Sequence, residues 1–487
     1  MPDISFIFAG ISVMLLIGAF SNKLSSRFNV PILLIFLLVG MVIGQRHVPR
    51  DLEFIRVNIA GTVAMCFILF SGGLDTRFSS IKSVLVPGGA LATIGVILTS
   101  LVFSLCAWGI FYGKLSFHSC LLLGAMISST DAAAVFAILS GRSVSLKGKL
   151  RPMLELESGS NDPMAYFLTV LMIDIVLGKS EFSMGTVSLL IYRMAMGVLL
   201  GIVIGYFGKL LYKTKLEYEG LYFVFDIAIV LMAYGLTEGI KGNGMMACYV
   251  CGITMNHIGF NYQKGISRFS DGISWLMQVI LFTTLGVFVD VQKLPDVFGR
   301  GLLLAAILLF VARPLAVFLT LPGKTFSWQE KLLMSWVGLR GAAPIVLATF
   351  PLSCGVENAR LYFNLIFFMV LVSLIVQGTT IMPLAKFLKL DKPFTEKERL
   401  PLELEATPET SGHSMKEFTV PQDAAYAGKT IASLKLPTGV LITLIRRGKH
   451  LVPPNGQTEV KAGDGLLIMG SHENLLEVQR LYFPDED

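Results

Sequence analysis

The sequence predicts an all-α polytopic membrane protein. About thirteen transmembrane helices form inverted repeats, two of them unwound, and a small α+β domain follows. Three observations predict this. Apolar residues make up 54% of the 487 and charged residues 15%, where a soluble chain carries about 25% charged; mean hydropathy is +0.68. The apolar residues fall in continuous runs of the roughly 20 residues that a bilayer requires, without the alternation of an outer-membrane barrel. The second half of the apolar region also echoes the first.

The runs centre on residues 4–20, 31–45, 57–74, 84–113, 117–139, 151–178, 186–212, 219–239, 243–258, 271–289, 299–320, 328–350 and 360–388. The first has no basic region before it and reads as a span, not a cleaved signal. Loops after odd-numbered spans hold fifteen Lys and Arg, among them Lys147, Lys149 and Arg151, against nine after even-numbered ones. That bias places the odd-numbered exits and the C-terminal domain in the cytoplasm. The net charge of +6 lacks any basic run interleaved with aromatics, so no nucleic acid partner is expected. Cys248 and Cys251 have redox spacing but sit in an apolar run with nothing metal-like around them, which reads as core packing.

The repeat shows in three matches. Thr130-Asp131-Ala132-Ala133-Ala134-Val135 aligns with Arg340-Gly341-Ala342-Ala343-Pro344-Ile345 at an offset of 210. Ile68-Leu69-Phe70 aligns with Ile280-Leu281-Phe282, and Gly40 with Gly252, both at 212. An offset of six spans with one linking span makes thirteen, and the odd linker inverts the second copy. Inverted repeats are a signature of secondary transporters. The small-residue stretches around Thr130 and Arg340 are suited to unwinding at mid-membrane, where backbone carbonyls and half-helix ends can meet an ion. Asp131 in one copy and Arg340 in the other can offset the dipole ends of two broken helices.

A carboxylate inside a spanning helix is a functional-site hypothesis by default. Two stand in adjacent spans here, Asp131 and Asp162, amid Thr130, Ser158 and Asn161. Ser158 and Asp162 are four apart and share one helical face, suited to an ion; Glu157 and Asn161 share the next, suited to holding the scaffold. A carboxylate that takes either a proton or a cation is the simplest machine for exchange, because the two cargoes compete for it. The structural alternatives are a buried carboxylate hydrogen-bonded for stability and, for Asp131, neutralisation of a half-helix N-terminus. An intramembrane Arg needs a partner, and Glu157 is the nearest candidate for Arg340. Arg313, before Pro314, offers a second anchor or a pH-sensing charge. Asp174, Asp226 and Glu238 read as interfacial or paired.

Residues 391–414 change regime, with charged residues and then a Glu/Pro/Thr stretch that reads as a solvated linker. Within 415–487, strands are expected at 417–421, 439–445 and 466–469, a turn at 462–465 and a helix at 472–482. Gly428-Lys429-Thr430 is the tail of a phosphate-binding loop without its leading glycine, since Asp423 stands there. No dinucleotide fingerprint, His cluster or Ser/His/Asp grouping occurs, so neither an enzyme nor a cofactor is expected, and no metal beyond a transported alkali cation.

The run Glu157-Ser158-Gly159-Ser160-Asn161-Asp162-Pro163, with Ser129-Thr130-Asp131-Ala132-Ala133-Ala134 before it and Gly338-Leu339-Arg340-Gly341-Ala342-Ala343-Pro344 after it, resembles the NhaP-like branch of the monovalent cation/proton antiporters (sodium/hydrogen exchanger family). The resemblance covers roughly residues 1–390. It implies that Asp162 carries proton and cation in turn, that Ser158, Thr130 and Asp131 help bind the ion, and that Glu157 and Arg340 pair. It also implies a homodimer with core and dimerisation parts that moves like an elevator. The Asn161-Asp162 pair resembles the electroneutral members. Many relatives carry an acid before the Gly-Gly-Leu of the third span; here it is Ser71, with Asp75 a turn later. Residues 415–487 are similar to TrkA-C type potassium-conductance regulator domains, which often dimerise and bind small regulatory ligands.

The expectation is therefore a secondary antiporter in the lipid bilayer of the cytoplasmic (inner) membrane. It exchanges cytoplasmic K⁺ or Na⁺ for external H⁺ through residues 1–390, with 391–414 as linker and 415–487 as regulator. The rivals are a K⁺ efflux channel gated by the C-terminal domain, for which a carbonyl filter sequence is missing, and a non-transporting sensor.

Overall fold

A chain without water to serve its backbone must close its hydrogen bonds within each segment, and the apolar runs do so as helices. The computed structural model describes residues 32–47, 54–140, 144–393 and 414–483, apart from 215, 219, 261, 290, 322, 324, 422, 423, 425, 435 and 449, with a few positions before residue 17. The expected span at 4–20 lies mostly outside the described residues. The chain divides into two compact units, Met1–Thr395 and Glu396–Asp487.

In the first unit the helices are α1 (Ile32–His47), α2 (Phe54–Asp75), α3 (Phe78–Ile110), α4 (Phe117–Ile127), α5 (Ala132–Ser140), α6 (Leu150–Val176) and α7 (Met184–Lys213). They continue as α8 (Leu221–Gly239), α9 (Gly244–Ile258), α10 (Gln263–Val287), α11 (Val291–Thr320), α12 (Trp328–Trp336), α13 (Ala342–Ser353) and α14 (Ala359–Phe387). Among the described residues, seven are long and apolar enough to cross a membrane: α2, α3, α7, α8, α10, α11 and α14. The other expected spans fall short for physical reasons. Two are broken in the middle, into α4 and α5 and into α12 and α13. α6 carries the polar run from Glu157 to Asp162, and α1 and α9 are short.

The repeat is real in three dimensions. α1 crosses α10, and α2 crosses α9. Shifted by about 210 residues, the first crossing becomes the second. In each, glycine faces glycine: Gly40 lies on Gly286, and Gly73 on Gly252, with neighbouring backbone so close that none has room for a Cβ. Bare backbones in contact are how membrane helices pack tightly when lipid offers no hydrophobic drive. Irregularities repeat too. α3 has a tight turn at Lys82–Val84 and a widened π-type turn at Leu91–Gly95; α11 has them at Val291–Lys293 and Leu308–Ala312. Both helices start earlier than hydropathy suggests, because these polar first turns dilute the apolar signal. α7 stands between the copies. Only 17% of its most apolar stretch is buried in the chain, against 67% for α2 and for α14.

After α5 the chain forms β1 (Val144–Leu146), which pairs antiparallel with β2 (Asp391–Pro393), placing Ser145 opposite Lys392. Neither strand was legible in the sequence, and β2 corrects the expectation that the solvated linker begins at 391. Residues 394–413 lie outside the described residues.

The second unit holds an antiparallel sheet in the order β3 (Ser414–Thr419), β6 (Gly465–Gly470), β4 (Leu441–Arg447), β5 (His450–Val452), and α15 (His472–Tyr482). The expected strands and helix are all present; β5 is too short to read. Phe418, Ile445, Ile468 and Val478 bury completely between sheet and helix, and Phe418 stacks on Phe483 with ring centres 4.7 Å apart. The turn at Asp464 is held by charge: Arg447 donates from Nε and Nη2 to the carboxylate at 3.0 and 2.7 Å. Those bonds raise the affinity of the Arg447 guanidinium for its proton.

Candidate ion-binding site

The two broken spans break at equivalent places, between Ile127 and Ala132 and between Trp336 and Ala342. The breaks cross and hold each other. The amide of Asp131 donates to the carbonyl of Leu339 at 2.8 Å. In return, Arg340 Nη1 donates to the carbonyl of Ser129 at 2.7 Å. The amide of Arg340 is taken by the Ser373 hydroxyl on α14 at 3.0 Å. Backbone groups released by unwinding are thus re-satisfied, at Asp131 and Ser129 by the opposite copy and at Arg340 by α14, as buried polar groups must be. Glycine makes the crossing fit: a Cβ at Gly341 would overlap the Asp131 carboxylate, and one at Gly338 would press on the Arg313 side chain.

α6 runs beside this crossing and closes it. Asn161 Nδ2 donates to the Thr130 hydroxyl at 2.6 Å. Ser158 donates to the Thr130 carbonyl and accepts from the Ala132 amide, both at 3.0 Å. Asp131 Oδ1 accepts from the Ala134 amide at 3.0 Å and caps the start of α5. Asp162 Oδ1 accepts a bond of 2.5 Å from the Ser129 hydroxyl.

Burial separates all of these residues by role but Thr130, which is expected at the ion yet only 5% exposed. Asn161, Glu157, Arg313 and Arg340 are at most 2% exposed, whereas Asp131, Ser158 and Asp162 keep accessible surface. The face of α6 assigned to an ion is therefore the accessible one, and the face assigned to scaffold is closed.

One pairing differs from expectation. Glu157 pairs with Arg313, its carboxylate 2.5 Å from Nη2, and not with Arg340, which is engaged at the Ser129 carbonyl. Both arginines come from the second copy. Arg313 follows the widened turn of α11, which swings its side chain through the gap left by Gly338. Charge alone could not choose between the two.

Of the other acids, Asp226 is fully buried and accepts from Ser270 at 2.6 Å. Glu238 accepts from the Gly244 amide at 3.1 Å and lies 3.6 Å from Arg193. Ser71, just before the Gly-Gly-Leu of α2, donates to Asp271 of α10 at 2.8 Å, while Asp75 is exposed. Asp271 does not stand out in the sequence, where it lies 200 residues from Ser71. Ser129 is one of two hydroxyls, with Ser128, that precede Thr130 and suit an alkali cation alike. Among the described residues no group of three or more His, Cys, Asp or Glu could hold a metal ion.

Inverted repeats that meet at two crossed, broken helices, with an accessible carboxylate beside the crossing, define the class of secondary carriers. Residues 11–387 match the family described as "Sodium/hydrogen exchanger, transmembrane", and residues 415–482 match the TrkA-C domain. The chain belongs to the sodium/hydrogen exchanger family. It is 36% identical to the K(+)/H(+) antiporter NhaP2 of Shewanella sp. (strain MR-4), over 97% of this chain and 82% of that one. It is 35% identical to the K(+)/H(+) antiporter NhaP of Alkalimonas amylolytica, over 94% and 80%. The fold is similar to that of the sodium proton antiporter MjNhaP1 from Methanocaldococcus jannaschii, with a TM-score of 0.66, 24% identity, and coverage of 77% of this chain and 99% of that one.

Proposed function

We propose that this protein is a secondary antiporter that exchanges cytoplasmic K⁺ or Na⁺ for external H⁺, one for one, at Asp162. The observation that carries the reading is the crossing itself. Two half-helix breaks and two accessible carboxylates, Asp131 and Asp162, share a small polar site inside a buried scaffold. At that site a proton and an alkali cation compete for the same oxygens, and competition for one carrier couples their movements. Asp162 is the carrier. Thr130, Ser158 and Asp131 shape the oxygen-lined site, while Asn161, Glu157, Arg313 and Arg340 hold it. Alkali cations prefer hard oxygen ligands, and this site offers only those. The relatives' names, K(+)/H(+) antiporter, support K⁺ as the first cation to test. They favour an antiporter over a channel.

We place the protein in the inner membrane with residues 415–487 in the cytoplasm, from the distribution of Lys and Arg, and assign those residues the regulation of transport by a small ligand. Residues 1–393 transport, with 391–393 tied back to β1, and the stretch from there to the regulator connects. A homodimer through the sparsely covered α7, outside both repeats, fits the reading.

The test is cation-driven proton movement in inside-out vesicles, titrating K⁺, Na⁺ and Li⁺. The expected result is that K⁺ or Na⁺ collapses an imposed pH gradient in the wild type and that Asp162→Asn is inert at equal protein in the membrane. Silence with every cation across the pH range, with and without the C-terminal domain, overturns it.

A further inference from the structure

The hydroxyls at the crossing are not equivalent. Ser158 is committed to the backbone of the break, donating to the Thr130 carbonyl and accepting from the Ala132 amide. The Thr130 hydroxyl is taken by Asn161. Ser129 is different. Its hydroxyl, on a residue 1% exposed, makes its bond to Asp162 Oδ1 and sits directly on the carrier carboxylate. Its backbone is pinned, because the Ser129 carbonyl accepts from Arg340 and the next-but-one amide is tied to Leu339. A fixed backbone carrying a hydroxyl that rotates about one bond is a component with two settings, since a hydroxyl donates one proton and offers two lone pairs.

We propose that Ser129 is a positioning residue for Asp162 that becomes a cation ligand. Without a cation, its O–H donates to Oδ1 and holds the carboxylate in one orientation. When an alkali cation enters, the O–H turns away, and the same oxygen faces the ion beside the carboxylate. The hydrogen bond that breaks and the ion ligation that replaces it involve the same two oxygens, so loading needs no movement of the broken helix. This inference rests on the exchange reading above and adds Ser129 to the site formed by Thr130, Asp131 and Ser158.

The experiment compares wild type, Ser129→Ala, Ser129→Thr, Ser129→Cys and Asp162→Asn in the vesicle assay. A second readout is the cation concentration that half-maximally stabilises each purified full-length protein against heat. A hydrogen bond or ligand contact to a charged group corresponds to roughly a tenfold change in affinity. Ser129→Ala is expected to lower the cation-free melting temperature, because the hydrogen bond to Oδ1 is lost, and to raise the KM for the cation about tenfold, the lost ion contact outweighing the lost hydrogen bond. Ser129→Thr restores KM. Ser129→Cys, whose soft sulfur is a poor ligand for a hard ion, behaves like Ala and serves if the Ala variant does not assemble. The thermal titration is expected to shift with KM.

A wild-type KM in both Ala and Cys variants overturns the proposal while leaving the exchange reading intact, as does a fall in maximal rate with KM unchanged or failure of Thr to rescue. A wild type without response in either readout overturns the exchange reading itself, and this proposal with it.

Discussion

At the scale of the residue, the Glu157–Arg313 pair is the costliest local arrangement in the site. Both groups are nearly fully buried, so removing one leaves an uncompensated charge, at about 3–5 kcal/mol. Arg313→Met is expected to lower the melting temperature of the detergent-purified protein sharply. Glu157→Leu combined with Arg313→Met is expected to recover part of that loss, because an apolar pair of similar volume avoids desolvating either charge. If the double variant melts below both single ones, the pair does more than neutralise. A second residue prediction concerns Gly341, where any Cβ meets the Asp131 carboxylate. Gly341→Ala should displace Asp131 and cut cation-driven proton movement in vesicles severely, at an expression level close to wild type. Pairing was also where the sequence misled: the need of each buried Arg for a partner was legible in the chain, but which one faces Glu157 depends on a widened turn in α11.

At the scale of the element, the mirrored crossings of α1 with α10 and α2 with α9 make a symmetrical prediction. Both depend on glycine-to-glycine contact, so Gly40→Val and Gly252→Val should reduce the amount of folded protein in the membrane to a similar degree. Gel filtration in detergent measures this; a large asymmetry between them would show that the copies carry different mechanical loads. The two-strand ladder of β1 and β2 allows a separate test. Lys392→Pro removes one ladder N–H, and hydrogen exchange followed by mass spectrometry should detect faster exchange across residues 144–147. The repeat was legible from three short matches because its glycines and site segments cannot vary freely. β1 and β2 were not, since three-residue strands have no periodicity to read and these two pair across roughly 250 residues of chain.

At the scale of the whole molecule, two units of different chemistry share one chain. The first buries its polar atoms against one another, and the second builds an ordinary water-facing sheet and helix. A chain ending at Thr395 should still catalyse cation-driven proton movement in vesicles and lose whatever response the full chain shows to cytoplasmic ligands. Loss of all transport would make residues 396–487 part of the carrier and not its regulator.

The sequence by itself determined the class: composition and run length demand membrane helices, the offset of about 210 residues demands two related copies, and acids within apolar runs mark the site. Those properties are local, or depend on spacing along the chain, and one-dimensional information suffices for them. Tertiary structure alone decided which arginine pairs with Glu157, that Ser129 and not Ser158 touches Asp162, and that Asp271 faces Ser71. Each of these joins segments from different helices at hydrogen-bond distance, where a shift of one residue in the packing of two helices exchanges one partner for another of the same chemical kind.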